Sequence, residues 1–130
     1  MAGKPKILAV DDDASVCALY EHGLPPMGYE VHCAPSAGRA KAFLQKELPD
    51  VILMDIMMSD QDGISLTQEI RSDPRTANIP ILVVSGLSDA ATLNDALLFG
   101  AVDYLVKPLD FEVLKTKLER VLSLKDKRPK

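Results

Sequence analysis

Asp11, Asp12 and Asp13 stand in a row directly after an apolar run at residues 7–10, and Asp55 directly follows a second at Val51–Met54. Carboxylates gathered in one pocket repel each other and hold their protons more tightly unless a cation compensates. Oxygen ligands with no His or Cys among them suit Mg²⁺, which keeps several of its waters, and they argue against zinc. Ser85 follows a third apolar run at 79–84, and Lys107-Pro108 follows a fourth at 102–106. A metal ion, an ammonium, a hydroxyl and a spare carboxylate are the parts needed to transfer a phosphoryl group onto that carboxylate. Each residue also has a plainer role to set against this one. Three acids in a row can be a solvated turn and helix cap, which is the role expected of Asp13. A carboxylate after a wholly apolar strand is costly without a partner, so Asp55 is read as functional. Lys107 draws its weight from its place after the last strand, and Ser85 draws its weight from the others.

These residues act together only if the chain brings the ends of the apolar runs to one place. Residues 7–10 read as a strand. From Ala14 the period becomes helical, with Val16, Leu19, Tyr20 and Leu24 expected on one buried face. Pro25-Pro26 and Gly28 stop that helix. Tyr29, Val31 and Cys33 alternate with polar neighbours, as in an edge strand. Ser36 is placed to cap a helix burying Ala40, Phe43 and Leu44. Val51–Met54 is apolar throughout, as a central strand covered on both faces must be. Residues 59–63 form a loop in which Asp60 is a plain loop acid and Asp62-Gly63 serves as turn and cap into the next helix, 64–72. A strand at 79–84 and a loop at 85–89 precede a helix at 90–99, with Leu93, Ala96 and Leu97 expected inward and Gly100 at its end. After a strand at 102–106, Asp110 caps a last helix that buries Leu114, Leu118, Val121 and Leu122. Five strands alternating with five helices predict an α/β fold, a doubly wound parallel sheet with helices on both faces. Ligands of such folds sit beyond the carboxyl ends of the strands, where all the residues named above fall.

The whole-chain quantities agree. A chain of 130 residues, 47% hydrophobic and 26% charged, makes one domain with an ordinary core. The net charge is −4, yet residues 115–130 hold seven Lys/Arg against two Asp/Glu. The rest is therefore strongly acidic and a poor nucleic-acid binder, and the basic end reads as a solvated helix face running into a linker. No apolar run approaches the ~20 residues that span a bilayer. The start, Met-Ala-Gly-Lys-Pro-Lys, has no signal-peptide character. Cys17 and Cys33 form no ligand-spaced motif and are expected to be free packing thiols in a cytoplasmic protein. His22 and His32 read as surface residues.

Four stretches carry a family likeness: ILAVDDD at 7–13, PDVILMDIMMSDQDG at 49–63, ILVVSG at 81–86 and GAVDYLVKP at 100–108. Together and in this order, the chain resembles the response-regulator receiver domain of two-component signalling, the CheY-like fold. The likeness runs from about Lys6 to Leu124, giving a receiver domain at 1–124 and a charged tail or linker start at 125–130. It implies strand order 2-1-3-4-5 and Asp55 as the phosphoacceptor. It implies Asp12 as a direct Mg²⁺ ligand, Asp11 as a ligand acting through water, and the Met57 carbonyl as a third protein ligand. Ser85 would be the switch hydroxyl and Lys107 the counter-ion of the phosphoryl group. Tyr104 is either the aromatic whose rotamer reports the state or a plain core-edge residue. The implied partners are a histidine kinase or phosphotransfer protein, and a downstream effector or attached output domain. Direct binding of nucleic acid or membrane is not expected. The implied output face is formed by the last two helices and the strand between them, residues 90–122, which would also serve a homodimer. Of the charged positions used by one known dimer mode of this kind, Asp103 and Lys117 match, whereas Leu93, Leu98 and Val113 are apolar. Two departures stand out: Ser59 replaces the usual Pro, which should loosen the loop after Asp55, and Ser85 replaces the commoner Thr.

Other classes fit less well. A haloacid-dehalogenase-type phosphatase needs a second Asp where Met57 stands. A flavodoxin-like carrier needs a hydroxyl- and glycine-rich phosphate loop where three acids stand. A GTPase needs G-x-x-x-x-G-K-[ST], which is missing. A pseudo-receiver that docks partners without phosphorylation predicts gaps at the acidic or Lys positions, and none is found. The chain is expected to act on itself and not as an enzyme on other substrates.

Overall fold

The computed structural model describes residues 3–126. The elements run β1 (Lys6–Val10), α1 (Ala14–Gly23), a 3₁₀ turn (Pro25–Met27), β2 (Glu30–Ala34), α2 (Ala37–Lys46), β3 (Val51–Met54), α3 (Gly63–Ser72), β4 (Ile81–Ser85), α4 (Ala90–Leu98), β5 (Asp103–Val106) and α5 (Phe111–Asp126). All strand pairs are parallel, in the order β2-β1-β3-β4-β5. The expected fold class and strand order are therefore observed.

The pleat divides the core in two. Leu8, Val10, Ile52, Met54, Ile81 and Val83 face one way and meet Ala40, Leu44, Leu66, Ile70 and Ala96 of α2, α3 and α4. Ile7, Ala9, Val51, Leu53, Leu82, Val84 and Leu105 face the other way, against Tyr20, Leu24, Leu114, Leu118 and Val121. Every residue of β3 and β4 is buried, which is why these strands read as unbroken apolar runs. The sheet register sets the rim. Val10 stands beside Met54 and Ser85 beside Val106, so the residues that follow β1, β3 and β5 emerge near the end of β4.

Several local expectations are corrected. Leu19 is 50% exposed, because α1 packs through Cys17, Tyr20 and Leu24 and turns Leu19 outward. Leu97 is also partly exposed, and α4 buries only Leu93 and Ala96. β4 starts at Ile81, after Pro80, whose carbonyl accepts the Ile52 N–H at 3.0 Å. β5 starts at Asp103, and the proline pair forms a 3₁₀ turn instead of only ending α1. Gly100 does stand past the end of α4, at φ +124°, a conformation that favours glycine. The expectation of free thiols is also corrected. Cys17 of α1 lies over Cys33 of β2, with Cα atoms 5.9 Å apart, and the two are joined in a disulfide. That removes one support for a cytoplasmic setting. What stands is that, among the described residues, no helix is long and apolar enough to cross a membrane. α5 continues to Asp126, two residues into the stretch expected as a tail, and 127–130 lie outside the described residues.

Candidate functional site

Three strands deliver their carboxylates and ammonium to one cleft of about 260 Å³, lined by Asp11, Asp12, Asp13, Asp55, Met57, Ser85, Gly86, Leu87 and Lys107. Each terminus is fixed by backbone bonds that continue the sheet beyond its strands. Asp11 N–H donates to the Ala34 carbonyl at 3.1 Å, Asp55 N–H to Val10 at 2.9 Å, and Lys107 N–H to Ser85 at 2.8 Å. The Lys107–Pro108 peptide bond is cis.

Asp11 and Asp55 are 1% and 6% exposed, so their charges are largely out of water. Lys107 Nζ answers both, at 2.8 Å from Asp11 Oδ2 and 3.6 Å from Asp55 Oδ1. Asp13 N–H donates to Asp11 Oδ1 at 2.9 Å, so both oxygens of Asp11 have donors. The Asp13 side chain caps α1 at Ser15 N–H, 2.8 Å, as expected from sequence. Asp12 is exposed and its Oδ2 accepts Ser59 N–H at 3.2 Å. One carboxylate oxygen from each of Asp11, Asp12 and Asp55 lies within 4.8 Å of the others.

Burial raises the Asp55 pKa above the usual carboxylate value, and Asp11 and Asp12 raise it further against the pull of Lys107. Burial works to lower the Lys107 ammonium, but its hydrogen bond to Asp11 and the charges of Asp11 and Asp55 leave it raised. One lysine therefore falls short of balancing this cluster. An all-oxygen donor set carrying excess negative charge fits Mg²⁺.

Ser85 is 1% exposed, and its Oγ accepts the Leu87 N–H at 3.1 Å. Tyr104 is partly buried, packed on the α2–α3–α4 core, and pairs in register with Val83. It thus shares a sheet face with Val83 and Ser85. Met57 is 64% exposed at the cleft edge.

Two further residues shape the site and escaped the sequence reading. α3 begins at Gly63, whose N–H donates to the Ile56 carbonyl at 2.7 Å. A Cβ there would lie 1.9 Å from the Asp55 carbonyl oxygen, so only glycine lets α3 approach the Asp55 backbone this closely. A glycine opening a helix beside the acidic loop is a signal of close backbone approach. Asp60, read as a plain loop acid, caps α2, and no local pattern shows that.

Metal affinity is expected to separate the neighbouring acids. Asp12→Ala is expected to weaken Mg²⁺ binding by about tenfold or more, since few protein oxygens hold this ion. Asp13→Ala is expected to change affinity less than about threefold while costing about 1 kcal/mol of stability as a lost cap. Isothermal titration with Mg²⁺ and thermal unfolding of both variants check this, and equal affinity losses contradict it.

Comparison with known proteins gives the same picture. A family model, the response regulator receiver domain, matches residues 7–119. The transcriptional regulatory protein ZraR of Salmonella typhimurium is 40% identical over 121 residues, 93% of this chain and 27% of that protein. The DNA-binding dual master transcriptional regulator RpaA of Synechocystis is 34% identical over 125 residues, 96% of this chain and 52% of that protein. The chain thus spans between about a quarter and a half of these curated relatives. Among solved structures, Vibrio cholerae chemotaxis protein CheY4 superimposes with a TM-score of 0.87 at 33% identity, covering 92% of this chain and 99% of that one. The receiver domain of Pseudomonas aeruginosa sensor histidine kinase PA1611, which holds a magnesium ion in its active-site cleft, gives a TM-score of 0.84 at 30% identity, covering 94% and 99%.

Proposed function

The chain belongs to the response regulator receiver domain family, and from that premise we propose that Asp55 accepts a phosphoryl group from a phosphohistidine of a kinase or phosphotransfer protein. The observation that supports this is the convergence of Asp11, Asp12 and Asp55 with Lys107 at one rim of the sheet. An Asp55 oxygen forms the new P–O bond as the P–N bond to the donor histidine breaks. A carboxylate whose proton affinity is raised above the ordinary value is the more basic and therefore the better nucleophile. Lys107, already 3.6 Å from Asp55 Oδ1, is placed to donate a hydrogen bond to the incoming phosphoryl oxygens. Asp11, Asp12, Asp55 and the Met57 carbonyl would hold Mg²⁺, which when bound neutralises charge on the phosphoryl oxygens. The protein phosphorylates and dephosphorylates only itself.

Phosphorylation replaces the single negative charge of the Asp55 carboxylate with nearly two on the phosphoryl group, and adds strong acceptor oxygens at the end of β3. Ser85 then swings its hydroxyl from Leu87 N–H toward the phosphoryl group. The space it leaves on that sheet face is taken by Tyr104, two residues from the β5 end. The α4-β5-α5 face is reshaped as a result and docks an effector, an attached output domain or a second copy. That face already exposes Leu98, Phe99, Val102, Val106 and Val113. Asp103 and Lys117, the charged positions that matched a known dimer mode, are paired to each other within the chain at 2.7 Å.

A beryllofluoride complex, which imitates the phosphoryl group, is expected to shift amide resonances most strongly across residues 85–108, with Tyr104 changing rotamer. Shifts confined to the neighbours of Asp55 with Tyr104 unmoved contradict the proposed output face. The pseudo-receiver reading has no supporting observation here, since no acidic or lysine position is missing.

A further inference from the structure

We propose that Asp60 is a positioning residue that clamps the loop between β3 and α3 onto the N-terminus of α2 and so holds Asp12 in ligating position, a role that rests on reading Asp12 as a metal ligand. The loop is held at two adjacent residues. Ser59 N–H donates to Asp12 Oδ2 at 3.2 Å. Asp60 Oδ1 and Oδ2 accept the N–H groups of Ala37 and Gly38 at 3.1 and 3.0 Å, across more than twenty residues of sequence. Ser36 Oγ takes Arg39 N–H at 3.1 Å. The first three amides of α2 are therefore satisfied, two of them by the loop and one by the helix's own cap.

This arrangement has directional consequences. The helix N-terminus favours an anion and holds the Asp60 carboxyl below the usual carboxylate range, through the Gly38 and Ala37 amides. The far side of the loop is held as well. Gln61 Nε2 reaches Ser65 Oγ at 3.1 Å and Glu69 Oε1 at 3.2 Å, and Glu69 pairs with Lys41 of α2 at 3.0 Å. With Asp60 clamped, Ser59 N–H cannot move away from Asp12 without breaking two charge-assisted bonds next door. Asp12 itself is exposed and has no other hydrogen bond among those described, so this N–H is what orients it.

Three variants test the role. Asp60→Ala removes the clamp, Asp60→Asn keeps one acceptor oxygen, and Ser36→Ala weakens the α2 N-terminus without touching the loop. Mg²⁺ affinity, amide hydrogen exchange at Ser59 in metal-free protein, and thermal stability are measured for each. Asp60→Ala is expected to weaken Mg²⁺ binding at least about threefold and to speed Ser59 exchange about tenfold, with Asp60→Asn in between. Ser36→Ala is expected to lower the melting temperature with Mg²⁺ affinity and Ser59 exchange unchanged. The proposal is overturned if Asp60→Ala lowers stability alone, or if Ser36→Ala weakens Mg²⁺ binding to the same degree. Failure of the parent protein to bind Mg²⁺ at all would overturn the reading of the site itself, and is read separately.

Discussion

Lys107→Ala is expected to slow phosphate uptake at Asp55 by about 10- to 100-fold, the worth of one charge-assisted hydrogen bond. The metal-free fold is expected to lose about 2 kcal/mol at neutral pH. Breaking a fully buried pair costs about 3–5 kcal/mol, and the partial exposure of the lysine reduces that figure. The loss has a definite pH dependence. Lys107 is raised in the folded chain above its ordinary 10.5, so its contribution is complete below 10.5 and is lost as pH rises through the folded value. Asp55 is raised too, and for an acid that means a penalty at neutral pH that is relieved as pH falls through the folded value. The deficit of the Ala variant should therefore be steady from neutral pH to about 10 and narrow in acid, where Asp55 takes up a proton. Saturating Mg²⁺ should also narrow it, because a bound cation relieves the same repulsion. Denaturant melts across pH, with and without Mg²⁺, read all of this; a deficit independent of both contradicts the electrostatic origin.

Gly63→Ala is expected to cost about 3 kcal/mol and to lower the melting temperature by about 10 °C. The added methyl would sit 1.9 Å from the Asp55 carbonyl oxygen and 2.9 Å from Ile56 Cα, and both are backbone atoms that cannot turn aside. Either α3 or the end of β3 must move, so the folded variant should also take up phosphate at least about tenfold more slowly. Gly38→Ala is the control. Its Cβ would meet nothing closer than Asp60 Oδ2 at 3.7 Å, and it should be neutral or slightly stabilising. Equal melting temperatures for the two variants would contradict the close approach of α3 to Asp55.

What could be read from sequence was what is local and periodic. The wholly apolar runs of β3 and β4 announced strands buried on both faces, and the order of elements then placed Asp11, Asp55, Ser85 and Lys107 at one rim. The caps at Asp13, Ser36 and Asp62 were equally legible, because each is a side chain bonded to an amide two or three residues on. Leu19 and Leu97 were misplaced because a helix with apolar residues on most of its circumference does not say which arc meets the sheet. The Cys17–Cys33 bond, the Asp60 clamp and the contact of Gly63 with Asp55 depend on how separate elements lie against one another. Register between α1 and β2, or between a loop and α2, leaves no mark in residue spacing. The site's electrostatics were half legible. Three acids and one lysine promised an uncompensated pocket, but only the structure shows Lys107 nearer to Asp11 than to Asp55.

In the proposed reading, Asp55 is the phosphoacceptor and its acidic neighbours act through a metal ion. Intact-mass measurement after incubation with acetyl phosphate decides both points. The parent chain with Mg²⁺ should gain the mass of one phosphoryl group, and should gain none when the metal is chelated. Asp55→Asn should gain none under either condition while retaining the folded spectrum of the parent. Labelling of Asp55→Asn to the parent's level, or equal labelling of the parent with and without Mg²⁺, would contradict the assignment.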